Sequence, residues 1–263
     1  SGNIKIITKK PDVSSLYYGV DVDYGSITDG THDQSLEAYI NMPLGTNTAI
    51  RLSAYDLTDG GWIDNELTSK TFTNSGVTID NSKHAKDDYN ELNKNGYRVR
   101  LASEVMGQNL DLSILDQSSK FGGSWETDEA VGERSNSRFN EEHFDDDFSQ
   151  ISLSISGDLN DNVEYTFTTS SFDRDVNYTY DYSEYVEYYN YDGPTYTCDY
   201  YDYYYYYNIS GCQDPRMSYT QIDNHERDSY EFRLQSKGDS GFQWILGAFS
   251  ESSKRDYEIA YYW

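Results

Sequence analysis

Leu36-Glu37-Ala38-Tyr39-Ile40-Asn41-Met42, then Leu44-Gly45-Thr46-Asn47, then Ile50-Arg51-Leu52-Ser53-Ala54: this stretch decides the fold class. In both arms every second residue is apolar, and most residues between them are polar or charged. That is the period of a strand, whose successive side chains point to opposite faces. The four residues between the arms include the Gly and Asn of a tight turn. The stretch reads as an antiparallel hairpin with one apolar and one mostly polar face.

The same alternation recurs along the chain. Tyr18, Val20, Val22 and Tyr24 alternate with Gly19, Asp21 and Asp23. Tyr97, Val99 and Leu101 do so with Arg98 and Arg100, and Leu110, Leu112 and Ile114 with Asp111 and Ser113. Further on come Ile151-Leu153-Ile155, Val163-Tyr165-Phe167, Tyr230-Phe232-Leu234 and Phe242-Trp244-Leu246-Ala248. With the two arms of the hairpin, nine strands are expected.

Their connections sort into two kinds. Leu44–Asn47, Met106–Asn109, Asp158–Asn162 and Lys237–Gly241 are tight turns. Between them lie long polar connections at about 57–95, 116–147 and 173–228, and a shorter first one, Ser26–Gln34. Short and long alternate strictly, which puts all tight turns at one end of the sheet. A soluble β-sandwich also has alternating faces but does not usually segregate its loops in this way. Transmembrane β-barrels do, with short periplasmic turns and long extracellular loops. A wet lumen also accommodates the charged inner positions, where Asp21, Asp23, Glu37 and Asp111 are expected to face Arg51, Arg98, Arg100 and Arg233. The expected fold is therefore all-β, an antiparallel transmembrane β-barrel.

Bulk properties bound the partners. The 263 residues carry a formal charge of −26, which disfavours nucleic acid. No run of apolar residues is long enough for a spanning helix. The two cysteines, Cys198 and Cys212, sit in polar sequence and read as a local disulfide, which implies an oxidising compartment. No spacing suggests a zinc site.

Three stretches carry a family resemblance. Asn3-Ile4-Lys5-Ile6-Ile7-Thr8-Lys9-Lys10-Pro11 resembles the end of the plug domain in TonB-dependent outer-membrane receptors. Asp59-Gly60-Gly61-Trp62-Ile63-Asp64-Asn65 resembles the segment after the third barrel strand of that family. Tyr230-Glu231-Phe232-Arg233-Leu234-Gln235-Ser236 with Phe242-Gln243-Trp244-Ile245-Leu246-Gly247-Ala248-Phe249 resembles one of its hairpins. The resemblance implies a 22-stranded plugged barrel. Residues 1–11 would be the last plug strand and its link, and 12–263 about nine strands of the N-terminal portion of the barrel. An open nine-stranded sheet leaves edges unpaired in lipid, so the remainder of a receptor chain, or other chains, would close it. The implied function is active uptake of a siderophore, cobalamin or an oligosaccharide across the bacterial outer membrane, energised through the TonB complex. No enzymatic activity is implied.

Ligand contacts are expected in the connection 173–228. Fifteen of the thirty residues from Tyr178 to Tyr207 are tyrosine, a side chain offering large contact area, few rotors and a hydrogen-bonding tip. The run Tyr200, Tyr201, Tyr203, Tyr204, Tyr205, Tyr206 and Tyr207, pinned by Cys198–Cys212, is the candidate binding segment; a rigid aromatic surface packing on the barrel or a neighbour is the alternative. The acidic run Asn140-Glu141-Glu142-His143-Phe144-Asp145-Asp146-Asp147 offers oxygen ligands for Ca²⁺ or for bridging to lipopolysaccharide, without the spacing of a calcium loop. No other cofactor is expected. His32, His84, His143 and His225 read as solvated loop residues. A surface adhesion or assembly protein and a secreted carbohydrate-binding sandwich are the competing functions.

Overall fold

The computed structural model describes residues 7–193, 197–198, 211–238 and 241–263. In chain order the elements are β1 (Tyr17–Ser26), β2 (His32–Pro43), β3 (Thr48–Asp59), β4 (Asp64–Asn65), β5 (Ser69–Thr71), β6 (Thr78–Asp80), β7 (Leu92–Val105), β8 (Gln108–Phe121), β9 (Ser135–Asn136), β10 (His143–Asn160), β11 (Val163–Asp181), α1 (Ser183–Tyr188), β12 (Ser218–Ser236) and β13 (Ile245–Tyr262). Nine strands form one sheet in the order β1-β2-β3-β7-β8-β10-β11-β12-β13. Every neighbouring pair is antiparallel. These are the nine strands expected from the alternation. Among the described residues, β1 and β13 each pair on one side only. Ile7–Leu16, ahead of β1, forms no strand.

The turns explain the register. Met106 (φ 53°) and Gly107 (φ 77°) form a two-residue connection with both residues left-handed, the geometry whose twist matches flanking strands. It sets Val105 opposite Gln108 and brings Leu101 opposite Leu112. From there the pairing passes Leu112 to Leu153 and Leu101 to Ile50, so one face is apolar across the strands.

Neither face of this sheet carries a protein core. Among the described buried apolar residues only Ala49 lies in the large sheet. The apolar face stands open, with Val22 71% and Leu246 64% exposed. The opposite face bears Asp111, Ser113, Ser152, Ser154 and Ser156 and bounds a cavity of about 1020 Å³. The core lies instead among the long connections, where Phe72, Ile79, Phe139, Val186 and Met217 pack together. Those residues come from the segments 60–91, 122–142 and 182–217, so the three connections fold against each other as one cap.

The long connections are shorter than the sequence suggested, because β10–β13 run past the apolar band. Beyond it, Asp145, Asp147, Asp173, Asp175, Glu226 and Asp228 share the apolar residues' side of the alternation. Cross-strand polar pairs hold the ladder there. Arg174 donates to both oxygens of Asp146 at 2.7 and 2.6 Å, and the hydroxyls of Thr179 and Thr220 meet at 2.9 Å. There the apolar residues change sides: Phe144 and Phe148 in β10 and Phe172, Val176 and Tyr178 in β11 lie opposite the band's apolar face, so the strand ends break its pattern.

Two further expectations change. Three of the four histidines lie in strands: His32 opens β2, His143 opens β10 and His225 is inside β12, bonded to the Ser253 hydroxyl at 2.9 Å. Of the charges expected to pair across the polar face, Arg100 and Asp111 do, with bonds of 2.8 and 2.5 Å. Arg233 is held by Glu231 on its own strand, Asp21 lies opposite Glu37, and Arg51 lies opposite Arg100.

Candidate ligand cavity at the long-loop end

At the end of the sheet bearing the long connections, the polar face turns aromatic. Alternation and register place Phe121, Phe144, Tyr178 and Tyr180, with Tyr219 and Tyr261, on one side of β8, β10, β11, β12 and β13. Their rings form a chain. Phe121 meets Phe144 edge-on at 5.4 Å, Phe144 stacks on Tyr178 at 5.8 Å, and Tyr178 reaches Tyr219 at 6.0 Å, which meets Tyr261 at 5.3 Å. These spacings lie in the attractive range for aromatic pairs.

α1 adds the second wall. The Asp181 carboxylate accepts hydrogen bonds from the Ser183 backbone N–H and hydroxyl at 3.2 and 2.6 Å, which satisfies one of the free N–H groups of the helix's first turn. Asn190, at φ 58°, is one of the few residue types that adopt the left-handed conformation that ends helices. One turn is enough to set Tyr182, Tyr185 and Tyr189 along one side, with ring separations of 4.8 and 4.3 Å.

Between these walls lies a cavity of about 610 Å³. It is lined by Phe121, Trp125, Phe144, Tyr180, Tyr182, Tyr185 and Tyr188 together with Arg138, Glu142 and Glu184. Glu142 is buried and forms its floor. One carboxylate oxygen accepts from the Ser124 N–H at 3.0 Å and the Tyr89 hydroxyl at 3.3 Å; the other accepts from the Asp181 N–H at 3.1 Å. Arg138 lies 3.5 Å from Glu142 and bonds Glu126 at 2.9 Å. Burial, with Glu142 beside it, pushes the Tyr89 hydroxyl above the usual tyrosine range, so it stays a neutral donor. Asp181 is likewise committed, accepting from the Phe139 N–H at 2.7 Å and the Asn140 side chain at 2.9 Å. The rim carboxylates Glu126 and Glu184 are exposed. The arrangement offers flat ring faces above a rigid polar floor, with acceptors at its edge. That suits a small ligand with a flat apolar face and hydrogen-bond donors.

The tyrosines singled out from sequence, Tyr200, Tyr201 and Tyr203–Tyr207, lie outside the described residues. Cys198 and Cys212 are disulfide-bonded. The acidic run is dispersed: Glu142 is in the cavity floor, Asp146 is tied to Arg174, and Asp145 and Asp147 lie on the other side of β10. Among the described residues no three His, Cys, Asp or Glu side chains gather into a group able to hold a metal ion. Sequence reading missed Phe121, Trp125, Arg138 and Phe144. Phe144 sat in a run read for its acids, and Phe121 and Trp125 flank Gly122-Gly123 in a stretch read only as loop. The signal available was the alternation itself, continued to the strand ends.

No protein-family model matches the chain, and no curated protein matches it. A solved structure that it resembles is OmpTdeltaL8, a loop L8 deletion mutant of OmpT, an outer membrane protein of Vibrio cholerae. Identity is 9% and the TM-score 0.35, over 92% of this chain and 61% of that one. The chain thus spans less than two thirds of that structure.

These findings correct the family reading. No family model and no curated protein supports it, and the TonB-dependent receptor assignment is withdrawn. The 22-stranded plugged barrel and TonB-driven uptake go with it. The expectation of no enzymatic activity is withdrawn with it. The second motif has a structural explanation instead. In Gly60-Gly61-Trp62-Ile63-Asp64-Asn65, a Cβ on Gly61 would sit 1.9 Å from the Asp88 carbonyl oxygen, Ile63 is fully buried, and Asn65 bonds the cap together.

Proposed function

We propose that the chain forms part of the wall of an outer-membrane β-barrel, with its apolar face against lipid and its polar face against an aqueous lumen. At its extracellular end the lumen opens onto the aromatic cavity, which receives a small polar ligand by stacking. One observation carries this reading: a nine-stranded sheet with one apolar and one polar face, neither covered by protein. An exposed apolar face of this extent far exceeds the few hundred Å² that soluble monomers tolerate. Lipid satisfies it, while the ladder satisfies the backbone. The apolar band is three to four outward residues per strand, about 17–23 Å of strand at ~3.3 Å per residue.

Cysteine accessibility tests it on the native protein, since both natural cysteines are bonded. Val22→Cys and Leu112→Cys are expected to react with a lipid-soluble maleimide and resist a water-soluble one, whereas Ser152→Cys and Ser154→Cys react with the water-soluble reagent. On intact cells an impermeant reagent should reach Lys83→Cys in the cap and not Thr46→Cys at the short-turn end. Aqueous labelling of Val22→Cys and Leu112→Cys in the membrane-bound protein overturns the proposal.

A further inference from the structure

Deep on the polar face, away from the aromatic cavity, lies a second cavity of about 230 Å³. Its lining is Thr8, Lys9, Arg51, Ser53, Arg98 and Arg100. Four of the six are cationic and none is acidic, in a protein whose formal charge is −26.

The sheet builds this cluster. Register sets Arg51 of β3 directly opposite Arg100 of β7, and Ser53 opposite Arg98. Like charges in directly opposed positions destabilise a sheet. Arg100 is compensated by its two bonds to Asp111, and its other nitrogen donates to the Thr8 carbonyl oxygen at 3.2 Å. That last bond helps fix the segment before β1. Fully buried Asn41 fixes it too, donating to the Asp12 and Ser15 carbonyls at 2.8 and 2.9 Å.

Among the described residues the remaining cations have no such partner. Arg51 lies over the Tyr39 ring at 4.3 Å and near the Tyr17 ring at 5.7 Å, and its Nη1 is buried without a hydrogen-bond acceptor. Lys9 lies over the Tyr17 ring at 5.4 Å. Arg98 makes no hydrogen bond or ion pair among the described residues, and Glu37, across Tyr55, is the nearest acid on its side of the sheet. Ring stacking holds the guanidinium and ammonium groups in place but leaves their donors unused. A buried donor without an acceptor costs free energy and calls for a partner. The planar fork of a guanidinium matches the oxygens of phosphate, sulfate or carboxylate.

We infer that Lys9, Arg51 and Arg98 form an oxyanion-binding site on the lumenal wall, taking a phosphate-class group. Asp111 tunes it by neutralising Arg100. Ser53 and Thr8 add neutral hydroxyls at its edge. The site rests on the polar face being wet, not on the aromatic cavity, and it predicts selection among solutes by charge.

The test is titration of inorganic phosphate into the detergent-solubilised native protein, followed by calorimetry, with sulfate and acetate in parallel. Expected is saturable binding that weakens with added chloride, and weakens at least tenfold in Arg98→Gln. Arg98→Lys keeps the charge and should retain most of the affinity, which separates loss of the site from loss of the fold. Arg233→Gln, on the same face but held by Glu231, should leave binding unchanged. Tight acetate binding with no phosphate binding reassigns the site to carboxylates and overturns the phosphate class. Absence of saturable binding by all three anions, or binding indifferent to both Arg98→Gln and Arg51→Gln, overturns the site. Cysteine labelling fails independently of either result, so a failed lumen reading and a failed anion site are told apart.

Discussion

Leu112→Arg is the substitution that probes the membrane reading most directly. Leu112 lies midway between Leu110 and Ile114 on the apolar face of β8, with Leu101 and Leu153 opposite it on the two neighbouring strands. That places it near the centre of the band. Leu110 is only three residues beyond Gly107 in the tight turn, near the edge. An arginine on the lipid face costs about 2–4 kcal/mol at the bilayer midplane and about 0–1 kcal/mol near the interfaces. At ~1.4 kcal/mol per factor of ten, Leu112→Arg should lower the folding equilibrium about 30- to 700-fold and Leu110→Arg by less than about 5-fold. Ser152→Arg, on the polar face beside Leu153, should stay within about 0.5 kcal/mol of wild type. The assay is urea titration of the native protein in lipid vesicles, followed by tryptophan fluorescence. The diagnostic is the gradient. A soluble sandwich buries both leucines in one core and has no reason to charge more at the middle for a cation that snorkels to lipid interfaces. Equal costs at Leu110 and Leu112, or a cost at Ser152 matching that at Leu112, would refute the reasoning.

The cap yields further predictions. Asn65 donates to the His84 and Arg138 carbonyls at 2.9 and 3.1 Å and accepts from the Arg138 N–H at 2.7 Å. Asn65→Ala strands these groups at about 1–3 kcal/mol each, so amide exchange should accelerate in 60–91 and 122–142 and not in the sheet. Gly61→Ala cannot place its Cβ beside the Asp88 carbonyl and should undock the same segments, seen as new protease cuts between β3 and β7. Glu187 ties α1 to β5: its carboxylate accepts from Lys70 at 2.9 Å and Thr73 at 2.8 Å, and these bonds hold its pKa below the usual glutamate value. A depressed pKa stabilises the fold above the unfolded value and loses that contribution as pH falls through the folded one. Acidification below the ordinary glutamate range should therefore loosen α1, by no more than the fraction of a kcal/mol that a part-exposed pair supplies, and Glu187→Gln should abolish the pH dependence of exchange there. Reducing Cys198–Cys212, which closes a 14-residue separation, should destabilise the connection by about 3 kcal/mol in the chain-entropy estimate, with the sheet's circular dichroism unchanged.

What the sequence made legible follows from where one face is buried or lipid-facing. In β3, Ile50, Leu52 and Ala54 must share a side, so the alternation in Ile50-Arg51-Leu52-Ser53-Ala54 specified strand, face and register together. The same rule found all nine strands. It failed where the alternation changes sides: β11 continues from Thr169 to Asp181 with Phe172, Val176, Tyr178 and Tyr180 on the side opposite Val163, Tyr165 and Phe167. It failed again in the cap, where Phe72, Phe139, Val186 and Met217 come from three separate connections. Nothing in one connection announces that its apolar residues meet those of the other two. The aromatic cavity was hidden for a related reason. Its rings come from three strand ends, the connection at Trp125 and one short helix, and each is unremarkable in its own segment.

The two cavities divide the charge of the wall in a way composition conceals. A formal charge of −26 suggests a surface that repels anions everywhere. Yet the acids concentrate at the long-loop end and on strand ends outside the apolar band, where water screens them within about 8–10 Å at physiological ionic strength. The cations Arg51, Arg98 and Arg100 sit deep on the polar face, between low-dielectric walls that focus their field. A solute reaching the wall first meets screened negative charge and flat aromatic faces, then unscreened positive charge. Electrostatic selection therefore resides in Lys9, Arg51 and Arg98, not in the more numerous acids. Neutralising Arg98 should change what the wall binds more than removing any single carboxylate of the cap, Glu184→Gln being the comparison, and phosphate affinity in those two variants decides it.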